Sequence, residues 1–289
     1  MAFRIVTDSG SDVSRGVARE LGVELIPLHS IMKSSKGDDT LDGNSIELPE
    51  VYALLRQRYS ATTSAINVDA FTEVFEAILK EGEDVLYLAL SSGLSATFHA
   101  SELAAEDLAA KYPERKIFVI DTLAASLGLG MLVHLAVGKK NEGKSIEEVR
   151  DFLIDAIPHT CHWFTVDDLF FLKRGGRVSA TTAIVGTALG IKPVMHVDDE
   201  GHLIKKDIAR GRKKSLAALC EKMKKTVIAP EEQTVFISHG DCLADAEYLA
   251  DLIRREIGVK EIVIDYIGSV IGTHSGPGTV ALFYLGTNR

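Results

Sequence analysis

The chain has 289 residues, 46% of them apolar and 25% charged, with a formal net charge of −9. That length exceeds what one hydrophobic core usually serves, so two domains are expected. The acidic balance disfavours nucleic acid and anionic membrane surfaces as partners, and no apolar run approaches the roughly 18 residues of a membrane helix.

In chain order, "FRIVTD" reads as a strand, with no basic-then-apolar targeting pattern in "MAFRIVTDSGSDVS". "SRGVARELG" reads as a helix ending at Gly22, and "VELIPLHSIM" as one further extended run. "VDAFTEVFEAILKEG" spaces Val68, Phe71, Val74, Phe75 and Ile78 at the helical period and stops at Gly82. "DVLYLAL" (strand), "SATFHASELAAEDLAAKY" (helix), "KIFVI" (strand) and "LAASLGLGMLVHLAVGKKNEG" (helix) follow. Strands that are almost wholly apolar, alternating with helices, predict a parallel sheet covered on both faces. "SIEEVRDFLIDAI" closes this half, with Ser145 as cap and Glu148 three residues on.

A second half begins near His159. It comprises the strand "HTCHWFTV", a short helix and turn in "DDLFFLKRGG", a helix in "ATTAIVGTALG", a hairpin in "KPVMHVDDEGHLIKKDI" turning at Asp199–Gly201, and the helix "SLAALCEKMKK". "TVFISH", the helix "LADAEYLADLIRREIG", "EIVIDYI" and a last strand "TVALFYLG" complete it. The expected fold class is α/β in two domains: an N-terminal parallel-sheet α/β domain at residues 1–158 and a C-terminal α+β domain at residues 159–289.

Polar loops follow apolar strands at Asp8–Asp12, Ser91–Thr97, Asp121–Ser126 and His239–Asp241, and the carboxyl ends of parallel strands are where ligands usually bind. Ser, Asp and Gly are also simply what turns are made of. In "SSGLSATF", Ser95 lies where a helix begins, a position suited to an anion or to a plain cap. "GLSAT" departs from G-x-S-x-G, which weakens a reading of Ser95 as a hydrolase nucleophile with His274 or His239 as base. "ATTSAIN" offers the hydroxyls of Thr63 and Ser64 as further donors to the same anion. In "LFFLKRGGRVS", Arg174 or Arg177 could reach a negative ligand or partner. Lys205–Lys214 holds six cations in ten residues, either a solvated face or a docking surface for an acidic partner. "IGTHSGPG" reads as a tight, polar, Gly-rich loop carrying His274.

No nucleotide-cofactor signature is present, neither G-x-x-x-x-G-K-[ST] nor a G-x-G-x-x-G opening a helix, so the chain does not handle ATP alone. His159 and His162 alternate faces of an expected strand and make a poor metal pair. His134 reads as a satisfied core histidine. Cys161, Cys220 and Cys242 are odd in number and lack metal spacing, which points to reduced thiols in a cytoplasm.

Taken together, "TDSGSDVS", "TTSAIN", "SSGLSATF", "DTLAASLGLG", "DDLFFLKRGGRVS", "LGIKPVMHVDDEGHL" and "IGTHSGPG" resemble the DegV family of bacterial fatty-acid-binding proteins, nearly end to end. Ala65-Ile66-Asn67 stands where that family has Gln-Pro-Ser, Ala96 where it has Gly, and Thr122 where it has Ser. The resemblance implies two domains with a ligand tunnel between them, holding one long-chain fatty acid and no cofactor. It also implies a role as the acyl-carrying subunit of a fatty acid kinase, whose separate ATP-binding subunit phosphorylates the carboxylate. Carried over by motif, Thr63, Ser95 and His274 meet the carboxylate, with Ser64, Thr97, Gly272 and Thr273 around them. Arg174, Arg210, Lys213 and Lys214 face the kinase subunit.

Overall fold

A computed structural model describes residues 2–34, 40–178 and 190–289. The chain runs β1 (Phe3–Asp8), α1 (Arg15–Leu21), β2 (Glu24–Ile26), β3 (His29–Lys33), β4 (Thr40–Asp42), α2 (Leu48–Arg56), β5 (Ser60–Ser64), α3 (Val68–Lys80), β6 (Asp84–Ala89) and α4 (Thr97–Lys111). It continues through β7 (Ile117–Asp121), α5 (Leu127–Asn141), α6 (Ile146–Ala156), β8 (Thr160–Thr165), α7 (Phe170–Arg174), β9 (Ile191–Val197) and β10 (Leu203–Arg210). Last come α8 (Arg212–Thr226), β11 (Thr234–His239), α9 (Leu243–Glu256), β12 (Glu261–Tyr266), α10 (Ser269–Ser275) and β13 (Val280–Leu285). The helix expected in "ATTAIVGTALG" lies outside the described residues but for Gly190.

Two compact units emerge, one of Met1–Leu28 with Ser64–Pro158, the other of His29–Thr63 with His159–Arg289. Residues 29–63 therefore join the second unit, against the expected division at 158 alone. The cause is local. "VELIPLHSIM" is two strands, not one: β2 pairs in parallel with β1, whereas β3 belongs to a separate three-stranded sheet of order β4-β3-β5. Pro27, without an N–H, separates them.

The first unit is a four-stranded sheet of order β2-β1-β6-β7, with every described pairing parallel. All six residues of β6 are buried, which is why "DVLYLA" carries no alternation. Phe71 and Phe75 of α3 pack on Tyr87 of β6, with ring centroids 5.0 and 5.7 Å away. Ser145 and Glu148 close a full capping box at the start of α6, and Gly22 ends α1 at φ 66°.

In the second unit a six-stranded sheet runs β10-β9-β8-β13-β11-β12. β13, which could have returned to either domain, lies between β8 and β11. One sheet face packs on α8 and α9 through Leu216, Leu219, Leu249, Ile253, Ile237 and Leu282. A smaller core joins Met32, Val51, Tyr52, Leu55 and Ala61 to Ile267. No described helix is long and apolar enough to cross a membrane.

Candidate functional site

In the first unit, the three loops that follow β1, β6 and β7 are laced together. Asp8, fully buried at the end of β1, accepts from Tyr87 Oη at 2.6 Å, Leu90 N at 2.9 Å and Gly10 N at 2.8 Å. Asp121 Oδ1 accepts from Ser92 N and Leu123 N, both at 3.1 Å. Ser126 N donates to Gly10 O at 2.7 Å, and its hydroxyl to Asp12 at 2.5 Å. Asp12, Leu123 and Ser126 all sit at positive φ, Ser126 with ψ −150°, a region otherwise nearly reserved for glycine.

This lacing sets the 91–97 loop. Ser95 Oγ lies 2.8 Å from Thr97 Oγ1 and accepts from Thr97 N at 3.3 Å. The cap position of α4 falls on Ala96, which makes no side-chain bond, so Ser95 precedes the cap position expected of it. Thr97 is buried and Ser95 half-buried, leaving two hydroxyls beside a helix start.

In the second unit, "IGTHSGPG" is not a loop throughout: residues up to Ser275 belong to α10, and Gly276 ends that helix at φ 80°. Helix α10 packs on α7, α2 and β3. Glycines of this stretch sit where neighbours pack closely. A Cβ at Gly272 would strike the Tyr52 hydroxyl, at Gly276 the Phe171 ring, and at Gly278 the Asp167 carboxylate. Thr273 donates its proton to Ser269 O at 2.8 Å and is buried.

His274 occupies the last turn of α10. Its Nε2 is 2.7 Å from the hydroxyl of Thr63, at the end of β5. Its Nδ1 is buried without a hydrogen-bond partner among the described residues. Nδ1 faces Gly175, where any Cβ would collide with it. Burial, then Arg177 and Arg174, push the imidazole down to about 4, so it is neutral near pH 7. Burial also lowers both guanidinium values. Arg174 lies over the rings of Phe170 and Phe171, at 5.9 and 5.1 Å, rather than against an acid. A hydroxyl, a neutral imidazole with one bare nitrogen and two partly desolvated cations make a place for an anion.

Ser64 is exposed at the end of β5. Arg210, Lys213 and Lys214 are exposed at the junction of β10 and α8, with the Lys213 ammonium over the Tyr248 ring at 5.6 Å. Arg212 is consumed by Asp245 at 2.8 Å and Asp167 at 3.7 Å. His239 meets the Tyr266 ring tilted at 51°, centroids 4.4 Å apart, and accepts from Cys242 N at 3.3 Å. His134 bonds Gly130 O at 2.8 Å, as a satisfied helix histidine does. His159 lies in a 3-10 turn before β8, not on it, and bonds Gly286 O. Burial pushes the three cysteine thiols up to about 11, which removes them as nucleophiles. Among the described residues no group of three His, Cys, Asp or Glu could hold a metal ion.

Sequence reasoning missed the role of Gly175 beside His274 and the lacing through Asp8 and Asp121. The Gly-Gly turn was visible, but nothing in its spacing named a histidine a hundred residues away as its neighbour.

A family model described as "Uncharacterised protein, DegV family" matches residues 2–287. A DegV domain-containing protein of Clostridium perfringens (strain 13 / Type A) is 43% identical over 287 residues, covering 99% of this chain and 98% of its own. Among solved structures, a DegV family protein from Thermus thermophilus described by its fatty acid binding is 31% identical, with a TM-score of 0.86 and coverage of 99% and 100%. A DegV lipid binding protein from Thermotoga maritima is 28% identical, with a TM-score of 0.84 and full coverage of both chains.

Proposed function

The chain belongs to the DegV family, and from that premise we propose that it binds one long-chain fatty acid and presents the carboxylate to a separate ATP-binding kinase subunit. The observation that carries this reading is the Thr63–His274 pair, with its bare Nδ1 and the two arginines beside it. The fatty acid binding described for the Thermus relative supports the ligand class.

An acyl chain gains about 0.8 kcal/mol per buried CH₂, so a long chain gains on the order of 10 kcal/mol before ordering costs. Retention then needs no ion pair. The headgroup needs donors, because a buried anion without them is costly. With Thr63 donating to Nε2, the neutral ring of His274 carries its proton on Nδ1, and that N–H is the donor the pair offers to the carboxylate. Gly272 and Thr273, in the same helix as His274, are assigned to the surroundings of the headgroup. When phosphate is transferred to the carboxylate, Arg174 and His274 would offset the negative charge that builds up. ATP and its catalytic groups belong to the partner. Arg210, Lys213 and Lys214 form the docking face for it, in a cytoplasmic setting.

Native mass spectrometry of the purified protein tests the ligand: an added mass released as a long-chain fatty acid is expected. A protein that stays bare after incubation with fatty acids would sink the reading. Incubation with ATP and the kinase subunit, trapping acyl-phosphate with hydroxylamine, tests the second half. Charge reversal at Lys213 and Lys214 should reduce trapped product while fatty acid stays bound.

A further inference from the structure

The face of the six-stranded sheet turned away from α8 and α9 carries one polar group without a partner among the described residues. By strand register this face holds His162 and Phe164 of β8, Ala281 and Phe283 of β13, Phe236 of β11 and Met195 of β9. All are buried, His162 at 1% exposure. The His162 ring meets Phe283 edge-on at 5.5 Å. Its Nδ1 is 2.9 Å from Thr160 O. A carbonyl only accepts, so Nδ1 carries the proton, and Nε2 is left as a lone-pair acceptor. Burial drives the imidazole well below its usual value, which keeps it neutral. Among the described residues Nε2 has no partner. A bare acceptor inside an aromatic wall is unfavourable unless something brings it a donor.

A saturated acyl chain brings no donor; a hydroxyl on that chain does. Resting on the fatty-acid reading above, we propose that His162 Nε2 accepts a hydrogen bond from the hydroxyl of a hydroxylated long-chain fatty acid lying against this face. The preferred ligand class is then a hydroxy fatty acid with its O–H at one defined depth along the chain. The site works by position: Nε2 is a single fixed acceptor, so only one region of the chain can reach it. Hydroxyls elsewhere stay unpaired against phenylalanine and lose affinity.

The experiment uses the full chain stripped of lipid, with stearic acid and a set of positional isomers of hydroxystearic acid competing in pairs, read by native mass spectrometry. One isomer is expected to be retained about tenfold over stearic acid, the worth of one satisfied buried acceptor. The other isomers should fall below stearic acid. In His162→Phe the ratio for the favoured isomer should drop to about one or lower. Stearic acid bound with no isomer preferred overturns the proposal and leaves the fatty-acid reading standing, a buried water then being the partner of Nε2. Failure of every acid to bind overturns both. A preference that survives in His162→Phe also overturns it. Should that variant not fold, the isomer series on the unaltered protein decides alone.

Discussion

Thr63 Oγ1 lies 2.7 Å from His274 Nε2, joining residues 211 positions apart. The contact places a hydroxyl from a strand end against a ring in the last turn of a seven-residue helix. If this pair receives the fatty acid carboxylate, the two side chains act as one donor set. Thr63→Val should weaken fatty acid retention by about five- to tenfold, near the worth of one hydrogen bond. His274→Gln should weaken it comparably. The double variant should lose less than the product of the two, because the second change removes a partner already lost. Additive losses, measured by competition binding, would show that the residues contact the ligand independently.

Gly175 and Gly176 look equivalent in "RGGR" but differ physically. Gly175 has φ −74°, open to any residue, yet a Cβ there collides with His274 Nδ1. Gly176 has φ 72° and open space around it. Gly175→Ala should therefore displace the imidazole and lower acyl-phosphate formation toward the level of His274→Gln. Gly176→Ala should cost about 1 kcal/mol of stability through backbone strain and leave transfer nearly intact. Paired denaturation midpoints and transfer rates separate the two, and a reversed pattern would remove Gly175 from the site.

Strand β6 was legible because its burial is written in the continuous apolar run Val85–Ala89, and α3 and α6 because period and caps agree. What escaped depends on pairing at a distance. Nothing local in "LHSIM" says that β3 leaves the sheet of β2 for another, although Pro27 marked the break. Helix α2 carried a signal that sequence reasoning missed, Pro49 near its start and Val51 with Leu55 four apart, after the polar stretch from Lys33 to Ser45. His274 and Arg174 were legible as candidates by chemistry and motif. Thr63 was legible by motif as well, whereas the approach of Gly175 to the His274 ring follows from the fold alone.

Acid should weaken the protein through its histidines. His162, His196, His239 and His274 are all held below the usual imidazole value, each chiefly by burial. The unfolded chain takes up protons as pH falls below about 6.5, whereas folded His274 resists until about 4. More protons on the unfolded state means that stability rises with pH, so this contribution is full above about pH 6.5 and is lost as pH falls toward 4. Urea midpoints should decline between about pH 7 and pH 5, more steeply than expected from the carboxylates, and less so in His274→Gln. A flat midpoint across that window would mean that the imidazoles gain partners on protonation.

Asp8 holds the first unit's loops by accepting rather than by pairing with a cation. Tyr87 Oη and Leu90 N converge on one carboxylate oxygen and Gly10 N on the other. Burial raises its pKa and the three donors oppose that rise. Asn is nearly isosteric, but its amide keeps only one accepting oxygen, so at least one donor must face an NH₂. That mismatch is buried and cannot be relieved by water. Asp8→Asn should cost about 2–4 kcal/mol, read from the urea midpoint at unchanged slope. Tyr87→Phe removes one donor and leaves the other two in place, so about 1–2 kcal/mol is expected. Because Leu90 N leads into the loop carrying Ser95 and Thr97, Asp8→Asn should also raise hydrogen exchange at residues 91–97 well before global unfolding. Unchanged exchange there, with full loss of stability, would make Asp8 a pillar of the sheet and not the anchor of that loop.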